Sequence, residues 1–163
     1  MRTHITSLKI LIVLLSSLFI TYNLQAATKQ TFGGTLCESV YNVTEAYGEN
    51  IGYQYGSIIN SSNTRWGYID CPVPRANGYT SGNVLDLEVS VTDTTGNMWC
   101  SAHVRDRYGN ISGSETVYSS GTGNRILDFG SLPGGAPYEG FVNIFCVLPK
   151  SGGAIHSISA DFN

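Results

Sequence analysis

Between Val84 and Arg105 the side chains alternate in character almost without a break. That period of two constrains this chain more than any other feature. Leu85, Leu87, Val89 and Val91 alternate with Asp86, Glu88, Ser90 and Thr92. Successive side chains of a strand point to opposite faces, so such a run is a strand with one face in a core and the other toward water. Asp93-Thr94-Thr95-Gly96-Asn97 then supplies turn chemistry. Met98, Cys100, Ala102 and Val104 follow, alternating with Trp99, Ser101, His103 and Arg105. The two runs and the turn between them read as a β-hairpin.

The same pattern recurs along the chain. A turn at Asp106-Arg107-Tyr108-Gly109-Asn110 leads into a strand from about Ile111 to Ser119. Loops occupy 119–124 and 130–137, around a short strand from Arg125 to Phe129. Gly140 to Leu148 is a strand with Val142, Ile144, Cys146 and Leu148 on one face, and Ala154 to Phe162 is the last. Earlier, Ile51, Tyr53, Tyr55, Ser57 and Ile59 form one strand face. Arg65 to Val73 is another strand, ending at Pro72 and Pro74; Glu45–Asn50, ahead of Ile51, and Arg75–Asn83, after Pro74, are loops. No segment has the periodicity of an amphipathic helix. The chain holds 19 glycines, and most punctuate short apolar stretches as turn residues do. Eight or nine short strands without helices predict an all-β fold, an antiparallel two-sheet sandwich, with a jelly roll or small barrel as the alternative.

The first 26 residues read differently. Arg2 and Lys9 precede an apolar run from Ile10 to Ile20, and a polar stretch then ends in Ala26 and Ala27. This is the layout of a cleaved signal peptide, with residues 1–26 removed and 27–163 forming one domain. The apolar run has 11 positions, two of them serine, whereas a spanning helix needs about 20. No membrane span is expected after processing, and the expected location is secreted or periplasmic. Cys37, Cys71, Cys100 and Cys146 all lie beyond residue 26. An even cysteine count in an exported chain predicts two disulfides. Zinc sites place ligands two to four residues apart in pairs, whereas the cysteine gaps here are 34, 29 and 46 residues. Cys100 and Cys146 share the apolar side of their strands, which pairs them in the core, as a bridge between the two sheets. Cys71 shares a face with Ile69 and Val73, and Cys37 is its natural partner, although four cysteines allow three pairings and the sequence alone does not choose among them.

Loss of Arg2 and Lys9 with the leader takes the nine Lys and Arg to seven, against twelve Asp and Glu, a formal charge of −5. Without a basic stripe there is nothing to neutralise phosphates, so nucleic acid is excluded as a partner. No nucleophile elbow, phosphate-cradling loop or EF-hand spacing occurs, and no catalytic residue, metal or cofactor is predicted. His103 lies on the polar face of a strand and reads as a solvated side chain. His156 has no spaced partner. Asp86 and Glu88 read as solubilising charges. Asn42, Asn60 and Asn110 begin N-x-[ST] triplets, which matter only in a eukaryotic secretory pathway.

What remains is aromatic. Trp66 and Tyr68 have the parity opposite to Ile69 and Cys71, and Trp99 the parity opposite to Cys100. If the cysteine faces are buried, these three rings point outward. Exposed aromatics on a sheet suit a sugar ring or a protein partner. A one-residue bulge, for which Gly67 offers a place, would reverse that assignment.

Several runs carry a resemblance. Tyr55-Gly56-Ser57-Ile58-Ile59-Asn60, Cys71-Pro72-Val73-Pro74, Val89 to Asp93, Cys100, Arg105-Asp106, Gly140-Phe141-Val142 and Cys146-Val147-Leu148-Pro149 together resemble a group of small, exported, uncharacterised bacterial proteins. The resemblance implies a bacterial origin and one compact disulfide-bonded β domain. It transfers no activity. The expected function is therefore that of an exported non-enzymatic binding or structural module, for a glycan or a protein partner. The alternative is a small extracellular hydrolase.

Overall fold

A computed structural model describes residues 29–40, 50–74, 83–134 and 140–162. The expected leader at residues 1–26, Asn42, and most of the two loops expected at 45–50 and 75–83 lie outside these residues. Within them are eleven strands in two antiparallel sheets, with one 3-10 turn at Gly34–Leu36. No helix among the described residues is long and apolar enough to cross a membrane.

The first sheet has β3 (Ile51–Gln54), β4 (Ser57–Asn60), β11 (Gly153–Phe162), β6 (Val84–Asp93) and β9 (Gly123–Gly130) in that order, and β1 (Gln30–Gly33) also pairs with β11. The second has β2 (Glu38–Ser39), β5 (Gly67–Val73), β10 (Phe141–Leu148), β7 (Trp99–Arg105) and β8 (Ile111–Tyr118). Their inner faces meet in one core. Leu87, Val89 and Val91 oppose Met98, Cys100, Ala102 and Val104, all fully buried, as period two requires.

The count exceeds the expected eight or nine because β1 and β2 add two short strands ahead of residue 50 and because one expected strand is split. Residues 51–59 are not one strand but a hairpin, with Tyr55 (φ 50°) and Gly56 (φ 82°) as its two-residue loop. Positive φ at both loop positions is the turn whose twist matches the strands, and Asn-Gly is its usual sequence. A tyrosine there is strained, because its Cβ crowds the backbone. Tyr55 is 95% exposed and its ring offsets little of that cost. Tyr55→Asn is therefore expected to stabilise the protein by about 0.5–1 kcal/mol, read as a rise in urea midpoint at unchanged slope.

Two further assignments change. Leu85 was expected in the core, yet it is 41% exposed while Val84 is buried. A register shift pairs Phe162 with Val84 and Asp161 with Asp86, so Leu85 drops out of the alternation. A second irregularity falls between Ile155 and Ser157. It lets Ile155 and Ile158 both face the core, and His156 turns outward. Its Nε2 lies 2.7 Å from Thr92 Oγ1 and its Nδ1 2.9 Å from Ser57 Oγ, each within hydrogen-bond distance. Thr92 in turn donates to Asn124 Oδ1. The partners His156 lacks in sequence come from neighbouring strands.

Both disulfides lie inside the second sheet. Cys100 and Cys146 bond across directly opposed positions of β7 and β10. The expectation that this bridge joins the two sheets is thus corrected: two residues on the same face of adjacent strands already sit at bonding distance. Cys37 bonds Cys71 beside the two-residue pairing of β2 with β5. The sheets are joined instead by packing and by the crossover at Gly34, where a Cβ would collide with the Ile155 carbonyl.

Candidate functional site

The outer face of the second sheet gathers the side chains that alternate with its core residues. Adjacent strands lie about 4.8 Å apart, so register alone sets which of these side chains touch. Val147 of β10 is opposite both Tyr68 on β5 and Trp99 on β7. Tyr118 of β8 is opposite Trp99. Phe145, one repeat along β10, closes the gap. Its ring centroid is 6.2 Å from that of Tyr68 and 5.8 Å from that of Trp99, and Trp99 is 6.4 Å from Tyr118. The result is a row of four rings across four strands, with Tyr118 69% exposed and the other three half-buried.

Tyr68 and Trp99 thus stand on one face, two strands apart. Trp66 is half-buried just ahead of β5, and none of the ring contacts of the row involves it. Gly67 pairs in register with Leu148, without a bulge; a Cβ there would press on Ile51 and Asn60. Phe145 and Tyr118 were not singled out by sequence. Phe145 could have been, because the parity that buries Ile144 and Cys146 turns it outward. Tyr118 could not, since β8 shows no apolar alternation.

Beside the row lies a groove of about 530 Å³, lined by Glu38, Asp70, His103, Arg105, Asn143 and Phe145 among others. Arg105 Nε donates to Asn143 Oδ1 at 2.9 Å, and Asn143 Nδ2 donates to Asp70 Oδ1 at 2.8 Å. A second Arg105 nitrogen donates to the Gly109 carbonyl. Glu38 is the register partner of Asp70 on the edge strand. His103, expected as a solvated side chain, is half-buried here instead. Its Nε2 lies 3.1 Å from Ser101 Oγ, and its Nδ1 is buried without a partner. Burial and the neighbouring Arg105 charge lower its pKa, against a smaller opposing pull from Asp70, so it is neutral at neutral pH.

The other outer face offers less. Ser57 and His156 form a pair there, but Ser57 is buried and the far nitrogen of the ring meets a neutral threonine. A nucleophile needs access, and a base needs a partner that stabilises its charged form. Asp86 and Glu88 on the same face both bind Lys29. Asn60 is buried, with its amide donating to the Arg65 and Pro149 carbonyls, so it is not a glycan acceptor in the folded protein. Among the described residues no group of His, Cys, Asp or Glu is arranged to hold a metal.

No protein-family model matches the chain, and no curated protein matches it. Solved structures similar to it include a family two carbohydrate esterase from Cellvibrio japonicus, at 6% identity and TM-score 0.49 over 84% of this chain. The chain spans 34% of that esterase. A low-affinity xylan-binding module, CBM86, from Roseburia intestinalis is similar at 13% identity and TM-score 0.47, covering 83% of this chain and 96% of the module. The C-terminal CBM6 of a laminarinase from Zobellia galactanivorans gives 12% and 0.49, over 82% and 99%.

Proposed function

We propose that the chain is an exported, non-enzymatic module, processed after Ala26, that binds a glycan along the outer face of its second sheet. The observation that carries this reading is the row Tyr118, Trp99, Phe145 and Tyr68 with a polar groove at its side. A pyranose ring has apolar C–H faces and a rim of hydroxyls. It is matched by rings that stack and polar groups that flank them, in that alternation. A protein partner would be served by a continuous apolar patch instead. Two disulfides agree with an oxidising compartment outside the cytoplasm.

Titration of the purified protein against a panel of soluble polysaccharides tests the reading. The panel holds xylan, mannan, mixed-linkage glucan, laminarin, starch and polygalacturonate. Trp99→Ala and Phe145→Ala are each expected to weaken the best ligand by about tenfold, which is ~1.4 kcal/mol. Their melting temperatures should fall little, because neither ring lies in the core. No binding to any member, or wild-type affinity retained by both variants, would remove the reading. Release of new reducing ends during the titration would favour a hydrolase in its place.

A further inference from the structure

Resting on the glycan reading of this face, the hydrogen-bond inventory of the groove assigns the class of glycan. Asn143 is spent at both ends, its oxygen on Arg105 and its amide nitrogen on Asp70. The guanidinium is turned to Asn143 and to the Gly109 carbonyl. What the groove leaves open is acceptor capacity. The second oxygen of Asp70 and both oxygens of Glu38 accept no hydrogen bond from any described residue. The two carboxylates are opposed in register on β2 and β5. Residues so paired have Cβ atoms about 5 Å apart, and like charges there are destabilising on their own. Against these two negative charges the groove has one guanidinium and a neutral imidazole.

We infer that Glu38 and Asp70 receive paired hydroxyl groups of a neutral glycan whose ring stacks on Phe145, and that they exclude glycans carrying carboxylates. A carboxylate accepts two hydrogen bonds side by side, which suits the two hydroxyls of a vicinal diol. Hydrogen bonds from hydroxyls to a charged acceptor are short and strong. A uronate would bring a third negative charge beside Asp70 and Glu38, and its carboxylate would offer no donor. Phe145 lines both the ring row and the groove, so one sugar reaches both. Glu38 sits on a strand of only two residues, next to the Cys37–Cys71 disulfide. That disulfide is the device that holds Glu38 opposite Asp70.

The test uses the purified protein and two probes at low salt: the hexasaccharide of whichever neutral polysaccharide binds best in the panel, and hexagalacturonate. The wild type is expected to bind the neutral oligomer at least tenfold more tightly than the uronate. The double variant Glu38→Gln/Asp70→Asn removes both charges and keeps the shape, and Asn at 70 still accepts from Asn143. It should lose about tenfold on the neutral oligomer and narrow the gap to the uronate, with a melting temperature no lower than that of the wild type, because two facing like charges are removed. Equal wild-type affinity for the two oligomers overturns the inference. So does a double variant that keeps both wild-type affinities. In either case Trp99-dependent binding would leave the glycan reading intact, whereas silence across the whole panel ends both.

Discussion

Replacing Cys100 and Cys146 together by alanine is expected to cost about 4 kcal/mol of stability, the loop-closure entropy for a separation of 46 residues. Small domains have about 5–15 kcal/mol in total, so the variant should be largely unfolded in modest urea. The pair sits one step from the end of the β7–β10 ladder, between the two strands at the centre of the second sheet, and is fully buried in its core. Two alanines leave a void there but no buried polar group. Removal of Cys37 and Cys71, separated by 34 residues, gives nearly the same entropic loss. Its consequence should differ in kind. β2 is held by two paired residues, so this variant is expected to release the edge strand first. Amide exchange at Glu38 and Ser39 should then rise well before the sheet melts. Equal protection of β2 in both double variants would contradict this division of roles.

Loss of Asp93 should be almost as damaging. It stands at the end of β6 on the inward side and is fully buried, a position a carboxylate seldom occupies without several partners. Oδ1 accepts from the Thr95 and Gly96 amides, and Oδ2 accepts from the Met98 amide at 3.0 Å. These bonds shape the turn that joins β6 to β7. Burial favours the neutral acid, but the three backbone amides and Ser119 outweigh it and hold the carboxyl below the usual range. Asp93→Ala leaves three donors short of an acceptor and is expected to cost about 3 kcal/mol. Asp93→Asn should recover little, because one acceptor oxygen becomes an amine facing an N–H. The pH dependence follows from the lowered pKa. The stability from ionised Asp93 is full above the unfolded value near ~3.9 and is lost as pH falls through the lower folded value. Urea midpoints of wild type and Asp93→Asn should therefore converge below that range. A constant gap from pH 7 to the acid limit would show that the charge plays no part.

The candidate site divides along the same physical line as the fold. Tyr68 and Trp99 could be turned outward from sequence because Cys71, three positions after Tyr68, and Cys100, directly after Trp99, have the opposite parity and had to be inward. The same parity reached Phe145. What could not be read was that these rings share one face and touch. β5 and β10 are separated by 67 positions of chain and β10 and β7 by a further pair of strands in sequence, and no local signal states which strands are neighbours. Glu38 gave no sign of its role, since a two-residue edge strand has no periodicity to detect. The single histidine read as solvated, His103, is half-buried because Asn143 and Phe145 come from another strand to flank it.

Alternation between Val84 and Arg105, repeated at Val142 to Leu148, was enough to determine an all-β chain and, Leu85 apart, the inward side of those strands, Cys100 and Cys146 included. Those features depend on one strand at a time, and side-chain direction in a strand follows from backbone geometry alone. Only the tertiary structure decided that both disulfides lie within one sheet, that Leu85 is displaced by a bulge, and that four rings align beside two facing carboxylates. Each of these depends on pairing order and register between distant segments. A shift of one residue in register inverts a whole face, and nothing in the composition of either strand says where its partner begins.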